Sequence, residues 1–246
     1  MTATITPKPD AFSLARRDPR DRLRDYELAL QFYLEVLSQG FVDGIVFAEN
    51  SNSDVTSLVR MTEAANQTER VEFFACYGLD YPQEYSRGYG EFMLLDRVMS
   101  ESKFVRQNPN AIIWKVTGRY RIRNLSKIIS RRPKQFDLYC HCRNYPTRLV
   151  DQYLLAWPTQ SYDRLLRGVF ETFKENETGV FGEVVMRGYL DEAESRGLSV
   201  VRRFSEPPII DGIRGWDGRA YEQGLSMHTK RIVRWAASIF LPFFWI

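Results

Sequence analysis

Histidine and cysteine are scarce in this chain, at two and three residues in 246, and that removes several kinds of chemistry. Cys76, Cys140 and Cys142 cannot form a disulfide framework. Cys140-His141-Cys142 has the look of a metal cluster, but Phe136 to Cys142 alternates like a strand, which sends the two thiols to one face and His141 to the other. The other histidine is His228, so neither a metal site nor a Ser-His-Asp triad has much to draw on. No apolar run reaches the roughly 20 residues needed to cross a bilayer, and the opening Met1-Thr-Ala-Thr-Ile-Thr-Pro7 lacks the basic and apolar regions of a secretory signal. A reducing cytoplasm is the expected location. Repeats and low-complexity tracts are also missing. Neither charge dominates, with 34 Lys and Arg against 31 Asp and Glu, for a net +3. Arginine is nonetheless dense in 16–24, 119–132 and 202–234, which favours an anionic partner: nucleic acid, a nucleotide diphosphate or anionic lipid.

Short apolar runs alternate with amphipathic stretches, the pattern of an α/β protein whose mostly parallel central sheet is flanked by helices. Strands are expected over 2–6, 41–48, 71–76, 111–116, 136–142, 153–157 and 200–204. Helices are expected over 21–37, with Tyr26, Leu30, Tyr33, Leu34 and Leu37 on one face, and from Gly88 to Ser102, with Phe92, Leu95, Val98 and Met99 inward. Further helices are expected after Asn124 as a cap, over 162–174 and over 181–195. The loop 207–218, rich in Gly and Pro, reads as surface. The chain divides into one domain over 1–225 and a segment, 226–246, in which basic residues precede the apolar Trp235–Ile246. Such a segment suits either the interface of an anionic membrane or a helix packed on the core or on another subunit.

Three places could hold a ligand. The run 111–116 is apolar and β-branched and ends in Lys115, Thr117, Gly118 and Arg119, so a strand buried on both faces carries cations to its carboxyl end, where open α/β sheets bind ligands. Lys supplies a point charge and Arg a bidentate fork, both suited to phosphate or carboxylate. A second apolar run ends in Glu49-Asn50-Ser51, and Arg87-Gly88-Tyr89-Gly90-Glu91 opens a helix, where Gly88 and Gly90 leave backbone N–H groups free to receive an anion.

Taken together, the strand ending in Glu-Asn-Ser, the Gly-Tyr-Gly-Glu helix entry and the strand ending in Lys-Val-Thr-Gly-Arg-Tyr resemble a group of bacterial and viral glycosyltransferases of surface-polysaccharide synthesis, most clearly over residues 2–130. The resemblance implies a GT-A-like fold and transfer of a sugar from a nucleotide-sugar donor to a glycan or lipid-linked acceptor, by an enzyme that is cytoplasmic or peripheral on the inner face of the membrane. It assigns donor binding to Glu49, Asn50, Gly90, Lys115, Thr117, Gly118 and Arg119. Most GT-A enzymes carry a metal-binding Asp-x-Asp where this chain has Lys115-Val116-Thr117. The substitution implies metal-independent catalysis, with Lys115 and Arg119 neutralising the leaving diphosphate in place of a metal, and no further cofactor. Glu91, Asp151 and Glu183 are the carboxylates available to take the acceptor proton. Two rivals stand beside this reading. One is nucleic-acid binding through Arg119, Arg121, Arg123, Arg131 and Arg132 with Tyr120, against which no recognisable binding motif stands in the chain. The other is a nucleotide-sugar-binding scaffold without turnover.

Overall fold

The structure, a computed structural model, describes residues 1–221 except 10, 12, 13, 83, 84 and 86. The basic and aromatic segment 226–246 lies outside the described residues.

The first strand, β1, is Thr2–Ala3. Helix α1, Pro19–Ser38, starts where Asp18 accepts a hydrogen bond from the Arg20 N–H and Pro19 presets the first turn. It buries Tyr26, Leu30, Tyr33, Leu34 and Leu37, the face expected from their spacing. Strand β2 (Ile45–Glu49), helix α2 (Thr56–Ala64) and strand β3 (Val71–Ala75) follow, then α3 (Arg87–Glu101), α4 (Lys103–Gln107) and β4 (Ile112–Val116). A short β5 (Arg121–Ile122) leads to α5 (Leu125–Ser130), β6 (Leu138–Arg143) and β7 (Leu149–Pro158). After α6 (Tyr162–Leu165), α7 (Glu175–Thr178) and α8 (Gly182–Ser195) come β8 (Val200–Val201) and β9 (Ile210–Asp211).

The fold is α/β, with small sheets of mixed direction. Strands β1, β2 and β3 form a parallel sheet in the order β1-β2-β3. Strands β4, β7, β6 and β8 form a second sheet in that order, in which β7 runs antiparallel to both its neighbours. A parallel bridge between Thr2 and Thr117, with the Gly118 N–H donating to Thr2 O at 2.9 Å, sets β1 beside β4 and aligns the two sheets. One apolar cluster, holding Leu30, Phe47, Ile122 and Ile128, lies on one side of the strands, and another, holding Phe92, Trp157, Tyr162 and Leu190, on the other. Among the described residues no helix is long and apolar enough to cross a membrane.

Several local expectations change. The helix expected over 162–174 is interrupted: α6 ends at Leu165 and Gly168, at φ 73°, turns the chain into a 3-10 segment over Val169–Thr172. Asn124 does not cap α5 with its side chain. It donates to Pro207 O and accepts from the Ile209 N–H instead, fastening a distant loop. That loop, expected on the surface, carries β9, which pairs with β5 across Arg121–Asp211 and Ile122–Ile210. The thiols of Cys140 and Cys142 do share a face, 3.8 Å apart, while His141 stacks on Phe204 on the other.

Candidate functional site

The bridge between β1 and β4 is also where the connections diverge, because the chain leaves β1 toward β2 on one side and β4 continues toward β7 on the other. Clefts for ligands form at the carboxyl ends of strands at such a point. A cavity of about 120 Å³ lies there, lined by Thr2, Ala3 and Thr4 from the end of β1, Asn50 from the end of β2, Thr117 and Arg119 from the end of β4, and Gly90 and Glu91 from the first turns of α3. Lys8, Arg22, Arg87 and Tyr26 complete its wall with Tyr81 and Tyr85.

The wall is positively charged. Arg22 is buried, donating to Thr4 O, Arg16 O and the Tyr26 hydroxyl. Its pKa is lowered by burial first, and the cations of Arg119 and Arg87 push the same way. Arg119, also buried, donates to Ile213 O at 2.8 Å. A Cβ on Gly215 would stand 2.8 Å from the Arg119 guanidinium and 2.9 Å from that of Arg87, so the two forks converge beside that glycine. The loop expected at the surface thus supplies a wall of the site. Asp25, the nearby acid, is taken up by a two-pronged pair with Arg16 at 3.0 Å. Crowded guanidiniums of this kind favour an anion between them.

Glu91 and Lys115 form the floor. The Lys115 ammonium is 2.7 Å from Glu91, donates to Gln152 O at 2.5 Å and to the Thr117 hydroxyl at 3.2 Å, and its side chain is 1% exposed. The Thr2 and Thr117 hydroxyls also donate to Glu91, at 2.5 and 3.1 Å. Burial pulls the Lys115 pKa down against the attraction of Glu91. Burial raises that of Glu91, but Lys115 and the hydroxyl donors outweigh it and leave it lowered. A carboxylate held ionised by three donors is a poor proton acceptor. Lys115 is spent on Glu91 and Gln152 and is not among the residues lining the 120 Å³ cavity, so of the two cations expected to grip a diphosphate, Arg119 stands in the wall and Lys115 beneath it.

The other expected residues separate by role. Glu49 is fully buried and accepts from the N–H groups of Ile5, Ser51 and Ser53 at 2.9–3.1 Å and from the Ser51 hydroxyl. Its oxygens are taken by the chain itself, so it braces the loops after β1 and β2 where a ligand contact was expected. Asn50 accepts from the Thr4 hydroxyl at 2.6 Å. Gly90 lies inside α3, and a Cβ there would strike the Tyr81 hydroxyl, which explains how Tyr81 reaches the wall. Gly118 lies against backbone: its Cβ would be 2.6 Å from Thr2 O. Gly118→Ala is therefore expected to prise β1 from β4 and lower stability by about 1–3 kcal/mol, as overpacking does, measurable by urea denaturation.

Of the candidate bases, Asp151 is paired with Arg143 at 2.5 Å on β7. Glu183, in the first turn of α8, differs: burial raises its pKa, Glu175 and Asp151 add to the rise, and Arg87 opposes it. It also acts electrostatically on Lys115, although it is not among the residues lining the 120 Å³ cavity. Lys8 and Arg22 were not singled out from sequence, and Arg87 was read only as the first residue of the Arg87–Glu91 helix entry, with no role of its own. Arg22 sits among polar neighbours on a helix face that otherwise reads as amphipathic, and no spacing signal separates it from the other arginines of 16–24. Comparison of the chain with protein-family models, with curated proteins and with solved structures gives no match.

Proposed function

We propose that the protein is a glycosyltransferase of GT-A-like architecture, moving a sugar from a nucleotide-sugar donor to a glycan or lipid-linked acceptor in surface-polysaccharide or glycolipid synthesis. The observation that carries the reading is the cavity at the carboxyl ends of β1 and β4, walled by Lys8, Arg22, Arg87 and Arg119. It is small beside the roughly 300–1,000 Å³ of sites that enclose whole drug-sized ligands, and it suits the anionic diphosphate of a donor whose other parts extend outward past the tyrosines. As the bond from the anomeric carbon to the diphosphate breaks, negative charge grows on the leaving group, and guanidiniums already in place stabilise it without reorganising. Glu183, with its raised pKa, takes the proton of the acceptor hydroxyl while that oxygen attacks the anomeric carbon. The rival nucleic-acid reading loses much of its charge to internal pairs: Arg121 and Arg123 both bind Asp211, and Arg131 binds Glu206.

A thermal-shift series with UDP, GDP, CMP and dTDP sugars, each with Mn²⁺ or with EDTA, tests the proposal. One donor is expected to raise the melting temperature by mass action and to do so in EDTA. Arg87→Ala and Arg119→Ala are each expected to weaken that donor at least about tenfold, the loss of a charge-assisted contact. Stabilisation that strictly requires the metal sinks the metal-independent mechanism, and donor binding unchanged in both variants sinks the site.

A further inference from the structure

Two exposed aromatic side chains stand beside the site and belong to neither apolar cluster: Trp216, 54% exposed, and Phe181, 69% exposed. Single exposed apolar residues are ordinary on a protein surface, so it is their placement that carries weight. Trp216 follows Gly215, the residue at which the Arg87 and Arg119 guanidiniums converge. Phe181 begins α8 two residues before Glu183, on which Arg87 acts. Both rings are presented by fixed backbone. Around Trp216, Ile213 and Ala220 form an antiparallel bridge, the Arg214 N–H donates to Arg219 O at 2.8 Å and the Gly218 N–H to Arg214 O at 3.1 Å. The turn is tied to the cavity wall, because Ile213 O accepts from Arg119 and Gly215 O accepts from the N–H groups of Ala15 and Arg16 at 2.9 and 3.2 Å. The Arg214 guanidinium lies 5.2 Å from the centre of the Trp216 ring and is itself held by Asp217 at 2.6 Å. Phe181 O accepts from the N–H groups of Val184 and Val185 at 2.9 and 3.1 Å. Rings already in position meet a ligand without paying to be ordered first.

We propose that Trp216 and Phe181 form an acceptor subsite that takes a pyranose ring on its C–H face, an inference that rests on the glycosyl-transfer reading above. The guanidiniums are given to the donor diphosphate, and the acceptor hydroxyl has to reach Glu183, which does not line the cationic cavity. The acceptor therefore lies beyond the cavity, on the side of Glu183, and that is where the two rings stand. A pyranose carries its hydroxyls outward around a face of C–H bonds. Such a face packs against the electron-rich face of an aromatic ring, while the hydroxyls remain open to polar neighbours. Aromatic surface set among a few polar groups is the usual make-up of a small-ligand site. An acyl chain suits the place less well, since it calls for continuous apolar area, whereas Trp216 is flanked by Gly215 and Asp217 and packs on a guanidinium.

The test follows the indole N–H resonance of Trp216, assigned by its loss in Trp216→Ala, in the isotope-labelled full chain. The probes are the methyl glycosides of glucose, galactose, mannose, N-acetylglucosamine and rhamnose, with dihexanoylphosphatidylcholine below its micelle concentration as the lipid arm. At least one glycoside is expected to shift the Trp216 resonance and to leave that of the fully buried Trp157 in place. Its affinity, read by saturation transfer from protein to glycoside, is expected to fall at least about fivefold in Trp216→Ala and in Phe181→Ala, the loss of one aromatic contact. The proposal is overturned if no glycoside moves the resonance, if the lipid moves it and the glycosides do not, or if both variants bind the glycoside as the parent does. Stabilisation of the parent by a nucleotide sugar with no response to any glycoside overturns the subsite alone. A glycoside response with no stabilisation by any nucleotide sugar overturns the transfer reading, and the acceptor role with it.

Discussion

Glu183→Gln is expected to lower kcat by about 10²–10⁴-fold, the usual contribution of a positioned general base, while leaving donor affinity within a factor of two or three. The residue is singled out by its surroundings. Asp151 is neutralised by Arg143 and Glu91 is held ionised by Lys115, whereas Glu183 is desolvated with two other carboxylates acting on it. Its raised pKa gives the pH profile a sign: activity falls as the base becomes protonated, so the acid limb of kcat/KM lies above the ordinary glutamate value. In Glu183→Gln that limb is expected to vanish from the residual activity. Retention of both the limb and the rate in the variant would transfer the role to another group, and Asp151→Asn is the comparison that shows whether it lies there.

Lys115→Met is expected to destabilise the fold by about 3 kcal/mol, at the lower end of what breaking a buried ion pair costs, because Glu91 keeps its two threonine donors. In a chain of this size the melting temperature drops by roughly 6–12 °C. The loss comes from leaving Glu91, its side chain 21% exposed, without its cation, so adding Glu91→Gln to Lys115→Met is expected to restore part of it. A fully additive double variant would show that the two residues are not coupled. The pH dependence follows from the direction of the Glu91 shift. Its folded pKa is lowered, so the stability it contributes is present above the ordinary glutamate value and is lost as pH falls through the lowered one. Acid unfolding of the parent chain is expected to include that step, and Glu91→Gln to lack it.

Residues with a strong local signature were legible without coordinates. Helix α1 follows from a regular apolar stripe, although its start at Asp18-Pro19 lies two residues before the expected 21–37, and the strands ending at Glu49 and at Val116 follow from short β-branched runs stopped by polar residues. The convergence of Asn50, Glu91, Thr117 and Arg119 on one cavity agrees with the rule that strand ends hold ligands. Helix α2 was missed because its apolar face is narrow, with only Leu58 and Thr62 buried. The full length of β7 was missed because Leu149–Gln152 contains the polar Asp151 and Gln152, both buried, Asp151 through its pair with Arg143 on the neighbouring β6.

Local pattern, then, determined the alternation of strands and helices, the faces they bury and the collection of cations at strand ends, since each depends on neighbours within a turn or two of the chain. Only the tertiary structure decided which of those cations face a cavity and which are consumed. Lys115 and Arg119 are four residues apart and alike in sequence, but Lys115 points under the cleft to a carboxylate from α3, whereas Arg119 points into the wall beside a loop nearly a hundred residues away. The same holds for the carboxylates: Glu49, Glu91, Asp151 and Glu183 are interchangeable on paper and differ in what surrounds them. A charge takes its role from its desolvation and its partners, and both are set by segments that meet only when the chain is folded.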